Sequence, residues 1–532
     1  MRKYLCACIA LVALAVTGCG GGKGQIGSAA SKNAAGSSKS YAELRWGAQY
    51  ALTGPIDWDK EAEPEAISIE SLAVQSLMEF ESDGKVKPGL ASSVEQPNQT
   101  TYVYHLRSVK FSDGKPLTAA DAVFSLDRAM NGKESWTKSE WTDVASITAP
   151  NSATVMVKLK RPDPFFQDIV ASGGQVAEKA AIERMSEKEI GTPGHMLVGS
   201  GPWKIDSYTP GVSVALSRNP YWTGSRPPAE KITIDFFKSE AAIALALRSG
   251  AIDGTAVYLR PKAFANIPGT RQVSAPGMWT TMTTVNTTQP PFNDLHVRRA
   301  IAYATDTKGM INALYPSGEA VPAATFMASS VFTTLGSKSE VSQMLEALPK
   351  YEFNLTKARQ ELAKSAYPHG FSSSIEVQAG IETSTVIAQI LAADLNKIGI
   401  KVKVDDLTSA QATAWNVGKL HFIVGSWGAL YPDPESLMSL MLSPAQIPGL
   451  DEASYRNSEV NKLRAEEAET LNRPKRLQLI GKLLKIVNSE LPYAPMFTIL
   501  NLASVSEKYV YTNFSWWTHF WTPWALNVKL AS

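Results

Sequence analysis

All three cysteines of the chain, Cys6, Cys8 and Cys19, lie near its start, so everything after Cys19 must hold together without a thiol. That excludes disulfide staples, cysteine nucleophiles and cysteine-ligated zinc or iron–sulfur sites from the body. The material for a core is there instead. Of 532 residues, 44% are apolar and 19% charged, a globular profile whose length implies several domains or one large composite fold. Basic and acidic residues number 52 and 50, and 50 and 50 without Arg2 and Lys3. A neutral chain lacking a Lys/Arg run has no electrostatic footprint for nucleic acid.

Residues 1–18 read as a signal peptide. Arg2 and Lys3 form a positive n-region, and the 13 apolar residues from Tyr4 to Val16 suit an h-region. They are too few for a bilayer, which takes about 20. The segment Val16-Thr17-Gly18-Cys19 resembles a bacterial lipobox, which makes Cys19 the expected lipidated residue and the membrane attachment. Residues 19–40 are rich in Gly, Ser and Ala without a period, the composition of a flexible tether. No later stretch is apolar enough to span a bilayer, so the body is expected to be soluble.

The body alternates helical and strand-like patterns. Thr118, three residues before Asp121, predicts a capping box. Asn354 is placed to cap a helix over 354–366, and residues 384–398 predict another, stopped at Gly399. Ile400, Val402 and Val404 alternate as a half-buried strand. Ser458 is expected to cap a helix to about Leu471, with Pro474 opening the next and Pro492 ending the pair. This alternation argues for α/β layers.

Motif chemistry is missing: no GxSxG, HExxH, Walker loop or GxGxxG occurs, and the six histidines are scattered. Glu466, Glu467 and Glu469 read as a solvated helix face. No enzyme, metal or cofactor is expected. The tryptophans, among them Trp58, Trp279, Trp427, Trp516, Trp517, Trp521 and Trp524, suit both cores and pocket walls.

Several segments, in order, resemble one family, the extracytoplasmic solute-binding proteins of peptide/nickel-type ABC transporters. They are DGKVKPGLASSVEQ (83–96), FSDGKPLTAADAVFSLDRA (111–129), VGSGPWKIDSYTPGVSVALSRNPYW (198–222), LRSGAIDG (247–254) and FNDLHVRRAIAYATDTKGMI (292–311). LNKIGIKVKV (395–404), WGALYPDP (427–434) and RPKRLQLIGKLLKIVNSELPYAP (473–495) complete the series. The resemblance implies a large two-lobed α/β fold of the periplasmic-binding-protein type II, with three domains and a ligand cleft. Lobe I would comprise 41–84, 204–285 and 500–532, an inserted domain II 85–203, and lobe III 286–499, with hinge crossings near Thr283–Asn286 and Met496–Leu500. It further implies a monomeric receptor that closes on its solute and delivers it to a separate permease and ATPase. Asp113-Gly114, Asn219-Pro220 and Arg298-Arg299 read as architectural.

By the same resemblance, Trp427, Gly428, Ala429, Leu430, Tyr431 and Asp433 line the ligand site, with Trp58 and Trp279 as further aromatic walls. Peptide-binding members carry a carboxylate three residues after the tryptophan, for the ligand's α-ammonium. Here that residue is Leu430. Three explanations stay open: Asp433 or Asp57 has taken over the ammonium, the ligand is a peptide with a blocked or differently bound amine, or it is an oligosaccharide or nickel chelate. An envelope hydrolase and a surface signalling receptor are the rival readings outside transport.

Overall fold

The computed structural model describes residues 36–532 apart from 38, 50–51, 62, 258–263, 265–266, 317, 379–381, 408–420 and 448–450. Cys19, the signal peptide and most of the tether lie outside the described residues. No helix among the described residues is long and apolar enough to cross a membrane.

In chain order the strands of the three large sheets are β1 (Tyr41–Gln49), β2 (Ala91–Asn98), β3 (Thr101–Leu106), β4 (Val144–Asn151) and β5 (Thr154–Leu159). Next come β6 (Trp203–Thr209), β7 (Ser213–Arg218), β8 (Ala229–Phe237), β9 (Gly254–Val257), β10 (Thr270–Ala275) and β11 (Trp279–Val285). The last six are β12 (Ala320–Pro322), β13 (Ser372–Gln378), β14 (Lys401–Leu407), β15 (Phe422–Gly428), β16 (Tyr493–Ile499) and β17 (Asn501–Ser506). A seven-stranded sheet has the order β6-β7-β8-β1-β9-β17-β10 and a six-stranded sheet β12-β16-β11-β15-β13-β14. The segment between β1 and β6 forms its own antiparallel sheet, β2-β3-β5-β4.

Alternation decides the faces of β1. Leu44, Trp46 and Ala48 point into a core shared with Leu216, Ile232 and Val505, the period of two that a half-buried strand requires. Trp46 packs at 4.6 Å on Trp524, so the C-terminal tryptophans close this core. The chain ends meet on the same lobe: Ser37 N–H donates to the Leu530 carbonyl at 2.8 Å and the Tyr41 hydroxyl to Val528 at 2.8 Å.

Local signals place the helices. The Thr118–Asp121 box starts helix Ala119–Asn131, with Thr118 N–H donating to Asp121 at 2.9 Å; such a cap contributes about 1 kcal/mol. Asn354 caps Leu355–Lys364, while the next predicted helix begins slightly early, as Glu382–Asn396. Asn457, not Ser458, caps Ser458–Ala468. Its amide oxygen reaches the Glu459 and Val460 N–H groups, which makes Ser458 the first helical residue. That helix stops short of Leu471 because Asn472 caps its successor, Arg473–Glu490.

The chain passes between the two larger sheets twice, at Pro276–Met278 and at Leu500. Thr283, read from sequence as part of a crossing, instead sits inside β11 opposite Val424 and Ala494. At the first crossing a Cβ on Gly277 would lie 1.6 Å from the Ile499 carbonyl oxygen, so only glycine fits against the second crossing. Asn501 binds the Pro276 carbonyl at 2.9 Å, which laces the two together. Asp113-Gly114 is a turn with Gly114 at φ +92°, and Arg298 binds the Phe292 and Glu490 carbonyls, both architectural.

Candidate functional site

β15 (FIVGSWG) changes character along its length. Phe422, Ile423 and Val424 are buried, whereas Gly425, Ser426, Trp427 and Gly428 are half-buried. One side pairs with β11, with Trp427 opposite Thr280 and Gly428 opposite Trp279. On the other side β13 meets it only at Glu376↔Ile423. Beyond Ile423 that edge has no strand partner among the described strands. A methyl on Gly425 would meet nothing closer than Ile423 Cγ2 at 4.0 Å, while one on Gly428 would sit 2.8 Å from the Trp279 ring.

The tryptophans divide into two groups. Trp279 meets Trp516 edge-to-face at 5.9 Å, Trp516 lies 6.0 Å from Trp521, and Trp521 meets Trp58 at 6.1 Å. Trp58 and Trp279 thus end one aromatic chain running from the seven-stranded side to the six-stranded side. Trp427, one register position from the Trp279 pair, projects to the opposite face of the sheet. Its indole Nε1–H donates to Glu452 at 3.4 Å.

After Gly428 the chain turns into helix Glu435–Met441. Ala429 and Tyr431 are buried, and the half-buried Leu430 donates its N–H to Ser436 Oγ at 2.7 Å. Tyr431 stacks on Phe165, at 5.9 Å and 18° between planes, so it joins the six-stranded side to the segment between β1 and β6. Asp433 accepts two bonds from Arg476, at 2.7 and 2.9 Å, and one from Glu435 N–H. Arg476 also binds Glu467 and lies 5.6 Å below the Phe165 ring. Asp433 is therefore committed to the loop.

Asp57 is likewise committed, to Arg128 and, at 3.6 Å, to Lys60. Glu467 corrects the expectation of a solvated acidic face: it is fully buried because Arg476 reaches it across the helix pair. Glu466 does sit on the surface, paired with Lys475, and Glu469 reaches Arg161, just after β5.

Sequence reading missed Arg476, Phe165 and Glu452. Arg476 was discoverable, since it shares an apolar helix stripe with Ile480, Leu483 and Val487, and an inward arginine demands an acid.

Glu452 has no sequence signature. It is 4% exposed, and burial pushes its carboxyl up to about 7, against the Trp427 hydrogen bond and with help from Asp451. Asp451, also raised to about 7 by burial, accepts from Tyr493 hydroxyl at 2.9 Å and Tyr455 N–H at 3.2 Å. Among the described residues no group of three His, Cys, Asp or Glu is placed to hold a metal ion.

Comparison with known proteins agrees with the architecture. The family described as bacterial extracellular solute-binding proteins, family 5 Middle, matches residues 85–449. A putative ABC transporter peptide-binding protein of Brucella ovis is 30% identical over 448 residues, 80% of this chain and 81% of the relative. The probable D,D-dipeptide-binding periplasmic protein DdpA of Escherichia coli K12 is 26% identical over 441 residues, 80% of this chain and 82% of that one. The solved structure of the periplasmic binding protein DppA of Helicobacter pylori, in complex with the peptide STSA, matches with a TM-score of 0.77 at 20% identity, over 93% of this chain and 99% of that one. The shared fold is the two-lobed type II α/β architecture of periplasmic binding proteins. The chain belongs to family 5 of the bacterial extracellular solute-binding proteins.

Proposed function

We propose that the chain is the substrate-binding component of an ABC importer, taking a peptide-class solute between its lobes and delivering it to a permease and ATPase on other chains. The observation that carries this reading is the edge of β15 beyond Ile423, without a strand partner among the described strands. A bare strand edge recognises an extended main chain through N–H and C=O groups, with side-chain pockets supplying selectivity. A sugar or a metal chelate has no such complement. The names of the Brucella and Escherichia relatives support the same class.

The lobes close on the solute about the paired crossings, and the Phe165–Tyr431 stack and the Arg161–Glu469 pair hold the closed form. The receptor works as a monomer tethered through lipid on Cys19, and it performs no reaction. Among the described residues of the site no nucleophile is joined to a base and an orienting group.

Thermal shift and calorimetry on the purified protein test this, with free-amine peptides, their N-acetylated forms, oligosaccharides, and nickel with and without histidine. A ligand at 100 times its Kd stabilises by about 2.7 kcal/mol, which is readily seen. Stabilisation by peptides of either kind is expected. Response to sugars or nickel alone overturns the peptide reading. For the anchor, Cys19→Ala is expected to move the protein from the membrane fraction to the soluble one.

A further inference from the structure

The peptide reading leaves the ligand's cationic nitrogen without its usual acid, because Leu430 occupies that position. The two acids that sequence offered as replacements are taken, Asp433 by Arg476 and Asp57 by Arg128. Glu452 differs from both. It is buried, one oxygen accepts from the Trp427 indole, and no Lys, Arg or His among the described residues pairs with it. A buried carboxyl without a cation is costly to ionise, so the site is poised to take up positive charge.

The face of β15 that carries Trp427 is also open next to Gly425. Gly425 precedes Trp427 by two residues and so shares its face of β15, and among the described residues a Cβ on Gly425 would meet only Ile423 Cγ2 within 4.0 Å. A ligand nitrogen there would lie near the Trp427 ring, whose face attracts cations, and beside the strand edge that the main chain would use. Among the described residues Asp451 is the one charged neighbour acting on Glu452; its Oδ1 accepts from Tyr493 and Tyr455, while its Oδ2 is buried with no hydrogen-bond partner, so the two acids together are short of positive charge.

We propose, resting on the peptide reading above, that Glu452, held by Trp427, is the residue that binds an alkylammonium group of the ligand. The group's source is either the peptide's α-amine or a lysine side chain.

The test is calorimetry on purified wild-type and Glu452→Gln protein with three probes: a lysine-free peptide with a free amine, the same peptide N-acetylated, and an N-acetylated peptide containing one lysine. Removing one partner of a buried charge pair is expected to cost at least about 30-fold in affinity. The loss should appear for ammonium-bearing probes and stay within about threefold for the fully blocked peptide. The first and third probes separate the two sources. Equal loss for blocked and unblocked peptides makes Glu452 a structural residue and overturns the proposal, as does no loss for any.

A wild-type measurement guards against a misfolded variant. Heats taken near pH 6.5 in buffers of different ionisation enthalpy should reveal proton release with ammonium-bearing probes and none with the blocked peptide. No difference between them overturns the proposal even if peptides bind. If wild type binds none of the three, the peptide reading itself fails, which is a different result from tight binding that ignores position 452.

Discussion

Arg476 clasps Asp433 with two parallel hydrogen bonds of 2.7 and 2.9 Å, and both side chains are almost wholly out of solvent. The arginine also holds Glu467 and lies under Phe165, so one guanidinium ties together the loop after Trp427, a helix pair and the segment between β1 and β6. Breaking a buried pair by removing one partner costs about 3–5 kcal/mol, because the other charge is stranded. Arg476→Met is expected to lower the urea midpoint by a corresponding amount. Asp433→Asn should also destabilise, yet leave peptide affinity of the folded protein within about threefold. A large affinity loss would give Asp433 the ligand contact denied to it here.

Leu430 is half-buried beside the strand edge. Leu430→Asp offers a second carboxylate to a ligand ammonium and is expected to raise affinity for free-amine peptides about tenfold, the value of one charge-assisted hydrogen bond. Calorimetry that finds no gain removes Leu430 from the pocket.

The stack of Phe165 on Tyr431 joins the segment between β1 and β6 to the six-stranded side. Aromatic pairs contribute about 0.5–1.5 kcal/mol beyond area burial. Phe165→Ala is therefore expected to weaken closure and reduce ligand affinity about 2- to 10-fold. Small-angle scattering in the presence of saturating ligand should report a larger radius of gyration for the variant than for wild type, and an unchanged radius would place the latch elsewhere.

Glu140 and Asp163 lie near this same stack, and burial pushes each up to about 7. Glu435 adds to the first and Asp143 and Asp433 to the second, while Tyr431 hydroxyl and Phe165 N–H respectively act the other way. A carboxyl raised by folding binds its proton more tightly in the folded chain. Its stabilising effect is complete below the ordinary carboxylate range and is lost as pH climbs through about 7. Melting temperature should fall by a few degrees between pH 5 and pH 8, and Glu140→Gln should flatten that slope. A slope unchanged by Glu140→Gln would assign it to other groups.

Gly277 touches the Ile499 carbonyl where the two crossings run together. Gly277→Ala must push them apart and is expected to destabilise by about 1–3 kcal/mol, the usual cost of overpacking. Ligand affinity should fall with it if the lobes close about these crossings as proposed; denaturation and calorimetry on one sample read both.

Local chemistry made much of the fold legible. Thr118, Asn354 and Pro474 announce helix starts because a cap or a missing N–H acts within one turn. The same logic slipped by one residue at Asn457-Ser458, where two capping residues stand in a row and only the preceding chain path selects between them. The ordered motifs pointed to the family, and Leu430 was visible as a departure. What stayed hidden depends on residues far apart in sequence. Nothing near Trp58 names Trp521, and nothing near Trp427 names Glu452. Glu467 looked solvated because its neighbours are charged, and only packing against Arg476 turns it inward.

The bond between Ser37 and Leu530 has a practical reach beyond stability. Probes fused near these two points would sit side by side on one lobe and stay blind to any motion of the other. A sensor of ligand capture needs its second probe on the chain between the two crossings, for instance on the exposed side of helix Lys338–Glu346. Conversely, residues 37 and 530 are near enough to be spliced, and reopening the ring at an exposed turn between the two crossings would place new ends on the other lobe.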